Sequence, residues 1–170
     1  YKVTVVQTCA LPICDEFTTM FQSRNLSKEF PAAIALGYAR RVQARQIETF
    51  VQSERADHAP DFKLMKEPGD SEMWVVCYFE PRSTDINMTG RDLRDIPEVC
   101  SAVQLSSKTN VPQLSEPFTL PFDPKHRLLA MWIAPTLTRM PQADLTQDEL
   151  LGATGWVFMP IEIKIGRAHV

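Results

Sequence analysis

Met73–Glu80 reads MWVVCYFE, and these residue types decide the fold class. Aromatic and β-branched side chains dominate, as a pleated, packed surface favours. In simple alternation Met73, Val75, Cys77 and Phe79 face one side, and Trp74, Val76 and Tyr78 the other. Neither side is polar, so the strand is expected inside a sheet covered on both faces. Two later runs share this character, Leu128–Ala134 (LLAMWIA) and Trp156–Ile163 (WVFMPIEI). Pro135 is expected to end the first. Pro160 lacks an amide donor, which assigns the second to a sheet edge or a bulge. The three runs predict an α+β domain with a mainly antiparallel sheet of three to five strands.

Upstream, residues 31–52 (PAAIALGYARRVQARQIETFVQ) carry good helix formers, with Pro31 suited to a first turn. Ile34, Tyr38, Val42, Ile47 and Val51 make an apolar stripe, and Arg40, Arg41 and Arg45 lie off it. The pattern predicts one long helix packed on a face of the sheet. A second helix is expected within 92–104, started by Pro97, with Ile96, Val99, Cys100 and Val103 on one side. Phe62 and Leu64 are candidates for a short strand, and Phe118–Phe122 for an edge strand. Thr146 and Glu149 form a capping box for a short helix that Gly152 closes.

The ends have a different origin. QTCALPI, within the first fourteen residues, can be back-translated as CAGACGTGTGCTCTTCCGATC, and the reverse complement of that DNA, with short flanks, would encode the terminal KIGRAHV. Residues 1–14 and 164–170 are therefore expected to be translated library adapters around a single domain of residues 15–163. Met20 is then a candidate native start, and the carboxyl end is expected to be cut short. Setting aside Lys2, Lys164 and Arg167 takes the basic residues from 18 to 15 against 21 acidic ones, so the formal net charge moves from −3 to −6.

A net acidic chain is a poor match to a phosphate backbone, so nucleic acid is not expected as a partner. No apolar run approaches the roughly 20 residues that cross a bilayer, and no membrane association is expected. Cys77 and Cys100 supply neither a CxxC pair nor a disulfide framework, which points to a reducing, cytoplasmic setting.

Candidate chemistry is sparse. Asp85, Asn87, Thr89 and Asp92, with Gly90 between them, resemble the first half of a calcium loop; a twelfth-position glutamate is missing, and a turn rich in local Asx bonds is the simpler reading. Cys77 and His126 would form a nucleophile–base pair if adjacent strands brought them together. Asp57, His58 and Asp61 form a partial metal pattern without a second histidine. There is no Gly-rich phosphate loop, GxSxG or HExxH, so no cofactor is implied and catalysis is not the leading expectation. Trp74, Tyr78, Met131, Trp132 and Trp156 are of types enriched at interfaces. Together with the doubly apolar sheet they favour a protein-binding or assembly module, with a protein partner or self-association. The alternative is a small enzyme with a pocket at the end of the sheet, near His126 and the 81–95 loop.

Overall fold

The computed structural model describes residues 26–57, 59–83, 85–136 and 154–164, together with Thr19 and Ser23. A single turn, α1 (Leu26–Glu29), precedes strand β1 (Ala35–Val42) and helix α2 (Ile47–Ala56). Strand β2 (Met73–Pro81) leads through a long loop to helix α3 (Pro97–Thr109). Then come β3 (Gln113–Leu114), β4 (Leu129–Thr136) and β5 (Gly155–Glu162). The strands form one sheet in the order β2-β1-β5-β4-β3, antiparallel throughout. The three apolar runs do share one sheet, and the domain is α+β.

The long helix over 31–52 is not formed. Residues 35–42 are a strand paired on both sides, and only Ile47–Ala56 is α-helical, entered through a tight turn at Ala44–Gln46. Helix propensity is a weak preference that packing overrides. The stretch also carries a second period: Tyr38 and Val42 point to one face, while Ala35, Gly37 and Ala39 point to the other. That small-residue side is what the core needs. A Cβ on Gly37 would run into the Phe158 ring, and Ala39 is paired with Trp156. Arg40 and Arg41 find distant partners, Glu54 at 3.4 Å and Glu72 at 2.7 Å.

β2 departs from simple alternation. Tyr38 is paired with Tyr78 but Ala39 with Val76, so Cys77 is an extra residue bulged out of the ladder. Past the bulge the faces exchange. Phe79 joins Trp74 and Val76 in the main core, and Tyr78 packs on the side of Met73, Val75 and Cys77. β2 is also the outermost strand on its side of the sheet, not an interior one. It is apolar on both faces because α3 packs over one and α2 over the other. Its open edge is closed by the following loop: Gly90 N donates to Val76 O (2.8 Å), Val76 N to Arg91 O (2.9 Å) and Trp74 N to Asp92 Oδ1 (3.0 Å). A blocked edge removes a template for aggregation.

Both prolines fit by phase. Leu129 and Met131 donate away from β5, to Phe118 O and Ser115 Oγ, so Pro135 in the same phase withholds nothing from β5. β4 therefore continues through Pro135 to Thr136, where the sequence suggested a stop. Pro160 lies in β5 between two neighbours. Its pairing side toward β1 is broken there: Gly37 is opposite Phe158, and the next bridge, Ala33 to Ile161, is one residue out of register. Phe118 makes an edge bridge to Leu129, whereas Phe62 and Leu64 lie in a loop. The Thr146 capping box lies outside the described residues.

Two packed layers result. On the α3 face, Trp74 and Trp156 pack with their rings tilted by 53° and 5.2 Å between centroids, with Phe158, Met131 and Ile133 fully buried around them. Each such aliphatic or Phe side chain contributes about 1.5–3 kcal/mol on burial. On the other face Ile47 and Phe50 of α2 close over Tyr38, Val42, Met73 and Val75.

Candidate functional site

Three loop segments converge beside the blocked edge of β2. Gly90, at φ +77°, occupies a left-handed conformation, and a Cβ there would strike the carbonyl oxygen of Lys63. That close approach lets Gly90 O accept from Met65 N at 2.9 Å, which holds the 63–66 segment against the 90–96 segment. The 120–122 turn forms the third side. Between them lies a cavity of about 390 Å³ lined by Met65, Lys66, Arg91, Asp92, Asp95, Ile96, Leu120, Pro121 and Phe122. Its walls are mostly apolar, with charged groups at one side.

Those charges divide into two groups. Asp92 is buried; Oδ1 accepts from Trp74 N and Arg94 N, both at 3.0 Å, and Oδ2 lies 2.9 Å from Arg94 Nη2 and 3.1 Å from Lys66 Nζ. Lys66 also meets Asp95 at 2.5 Å. Burial by itself would raise the Asp92 pKa, but hydrogen bonds from Arg94 and from the Trp74 and Arg94 amides outweigh it and hold the carboxyl below its ordinary range. Burial would lower the Lys66 pKa, and the bonds to Asp95 and Asp92 reverse that and raise it. Two acids and two bases thus neutralise one another.

Arg91 stands apart. Its guanidinium lies 3.5 Å from the Phe122 ring centroid, and Nε donates to Asn87 O at 3.3 Å. Among the described residues no carboxylate lies within ion-pair distance of it. Burial lowers its pKa, opposed by the charge of Asp95.

Near the start of β4 and the end of β5 is a more open groove of about 610 Å³ lined by residues including Ile34, Arg82, Ser83, Arg127 and Glu162. A pocket was expected at the end of the sheet near His126 and the 81–95 loop; that loop lines both concavities, through Arg91, Asp92 and Asp95 in the first and through Arg82 and Ser83 in this one. Neither Cys77 nor His126 lines it. Cys77 is buried beneath α2 in β2, and His126 is exposed in the turn before β4, at φ +47°. β1 and β5 separate those strands, a gap of three strand spacings or about 14 Å. The two do not form a nucleophile–base pair.

The calcium-type oxygens are dispersed too. Asp85 is ion-paired to Lys125 (2.6 Å) and Arg127 (3.5 Å) and bonded to Ser83; the Lys125 hydrogen bond first, then Ser83, holds its carboxyl far below the usual range. Asn87 Oδ1 accepts from Thr89 N at 2.9 Å, an Asx turn, and Asp92 is spent on the core edge. Among the described residues no cluster of three or more His, Cys, Asp or Glu side chains could hold a metal; His58 lies outside them. Of the interface candidates, Trp74, Met131 and Trp156 are core residues, because the sheet presents them to α3; Trp74 Nε1 donates to Glu72 and Trp156 Nε1 to Ser107. Tyr78 and Trp132 are half-buried around Ala33, Leu36 and Met159 on the opposite face. Sequence reasoning passed over Arg91, which sits inside the quoted loop, because its partner Phe122 is remote in the chain.

The model of the CHASE domain family matches residues 14–165. The chain belongs to the CHASE domain family. CHASE domains are sensory modules for ligand binding, and they work on the extracellular or periplasmic side of membrane receptors. That membership overturns the cytoplasmic assignment. Among the described residues neither Cys77, buried in the bulge, nor Cys100, half-buried on α3, is in a disulfide, which reports only that this core needs none. No helix among the described residues is long and apolar enough to cross a membrane. No curated protein matches the chain.

Proposed function

We propose that this CHASE domain senses a small molecule bound in the cavity between the 63–66, 91–96 and 120–122 segments. One observation carries the reading: apolar walls with a few convergent polar groups enclose about 390 Å³, the size and make-up of small-molecule sites. The same 91–96 segment continues into α3, so a ligand against Ile96 bears directly on the start of that helix. Filling the cavity tests this. Ile96→Trp is expected to abolish the thermal shift that small-molecule fragments produce in the unaltered chain. Fragments that stabilise both proteins equally would refute the assignment.

Association with a protein, here a second copy of the chain, is the second element of the proposal. Its support is at the far end of α3, about 20 Å away along the helix. Leu105, Val111 and Leu114 are 49%, 52% and 60% exposed beside the short edge strand β3. Single apolar residues on a surface are ordinary, but a group at an open sheet edge favours a contact. Light scattering on the unaltered chain and Leu114→Glu checks it; a monomer in both cases would remove this part of the proposal.

A further inference from the structure

We propose that the cavity selects a small monocarboxylate with an apolar or aromatic body, and that Arg91 is its anchor. The inference rests on the cavity being the ligand site, and it adds the ligand's chemical class.

The charge arrangement carries it. Asp92 and Asp95 are already engaged by Lys66 and Arg94, so the cavity has no spare acid for a cationic ligand. Arg91 has an aromatic partner and one backbone acceptor, and no carboxylate within reach among the described residues. A guanidinium is planar by resonance, and its outer nitrogens form a fork that donates two parallel hydrogen bonds to a carboxylate. The Phe122 ring, 3.5 Å from the guanidinium, restrains its position. α3 begins at the same wall with Ile96 as its N-cap, which has no side-chain oxygen for the first-turn amides, so the helix adds positive potential on this side. With Lys66 and Arg94 committed to Asp92 and Asp95, Arg91 is the cation among the described lining residues left to answer an anion, which matches a single negative charge better than a dianion such as a phosphate monoester. Met65, Ile96, Leu120 and Phe122 supply walls for the apolar part of the ligand. A half-buried cation with no carboxylate at ion-pair distance among the described residues carries a desolvation cost, and an incoming carboxylate offsets it.

Titration calorimetry on the intact chain with 3-phenylpropanoate and its neutral amide, 3-phenylpropanamide, tests the class. The acid is expected to bind at least tenfold more tightly than the amide. Arg91→Gln should bring the two within twofold of each other, while Arg91→Lys keeps part of the preference through charge alone. Equal binding of acid and amide by the unaltered chain overturns the proposal without needing any variant to fold. A preference that survives Arg91→Gln overturns it as well. In either case, loss of binding in Ile96→Trp leaves the cavity reading standing. Failure of both probes to bind, or binding unchanged in Ile96→Trp, overturns the cavity reading and the carboxylate together.

Discussion

Arg91 and Arg127 line two concavities among the described residues under opposite conditions. Arg127 grips Asp123 through Nε and Nη2, both at 2.9 Å, and lies 3.5 Å from Asp85; its neighbour Arg82 donates to the carbonyls of Pro31 and Ala33. Every cation named there is used to close the turn before β4 or to tie residues 31–33 to the loop after β2. Arg91 is held against Phe122, and among the described residues its outer nitrogens have no hydrogen-bond partner. The larger concavity is thus a by-product of chain closure, and the smaller one keeps a charge in reserve. Size does not identify a site; uncommitted polar groups in a partly dry place do.

Substitutions can break this contrast in order of their effect. Gly90→Ala has the largest. The left-handed backbone and the collision with Lys63 O should together cost about 3 kcal/mol, seen as a lower urea midpoint. If the midpoint holds, the 63–66 segment is not fixed as described, and the cavity wall is adjustable.

Next comes Asp123→Asn on the groove side. The carboxylate accepts from Arg127 twice and from two backbone amides, and its loss should cost about 2 kcal/mol. The Arg127 hydrogen bond chiefly holds the Asp123 pKa down to about 2, with burial opposing and the Lys125 and Arg127 amides assisting. A lowered carboxylate pKa contributes stability that is complete above its ordinary value of 3.8 and is lost as pH falls toward 2. The gap between the unaltered chain and Asp123→Asn should therefore be constant from pH 5 to 7 and close between pH 4 and 2. A gap that widens on acidification would mean that Asp123 is not the ionised partner of Arg127.

Arg91→Gln should have the smallest effect on folding. It removes a stacking contact of about 0.5–1 kcal/mol and leaves no carboxylate stranded. A loss above about 2 kcal/mol would place Arg91 with Arg127 among the structural cations and erase the difference between the two regions.

How far the chain can be understood from its letters differs between the same two regions. The strands β2, β4 and β5 were legible because Val, Ile, Trp, Tyr and Phe crowd them, and α3 because Pro97 opens it. β1 was not. Its letters ALGYARRV favour a helix locally, and only the bulk of Trp156 and Phe158, more than a hundred residues away, makes Ala35, Gly37 and Ala39 the right residues for a strand face. The Cys77 bulge left no local mark either, so the facing of Tyr78 and Phe79 was inverted. At the cavity, the acids of the 85–92 loop were visible as oxygen ligands, but the structure spends them on Trp74, Arg94, Lys66 and Lys125. The proposed anchor is the cation between Gly90 and Asp92. Its meaning depends on a ring thirty-one positions downstream, a relation that no spacing rule encodes.

The most direct measurement is amide hydrogen exchange on the intact chain with and without saturating 3-phenylpropanoate. Slower exchange is expected in 63–66, 91–96 and 120–122, with residues 31–34, 82–83 and 127 unchanged. Protection confined to that second group, with the Arg91 side unaffected, would contradict the assignment of the ligand site to the smaller cavity.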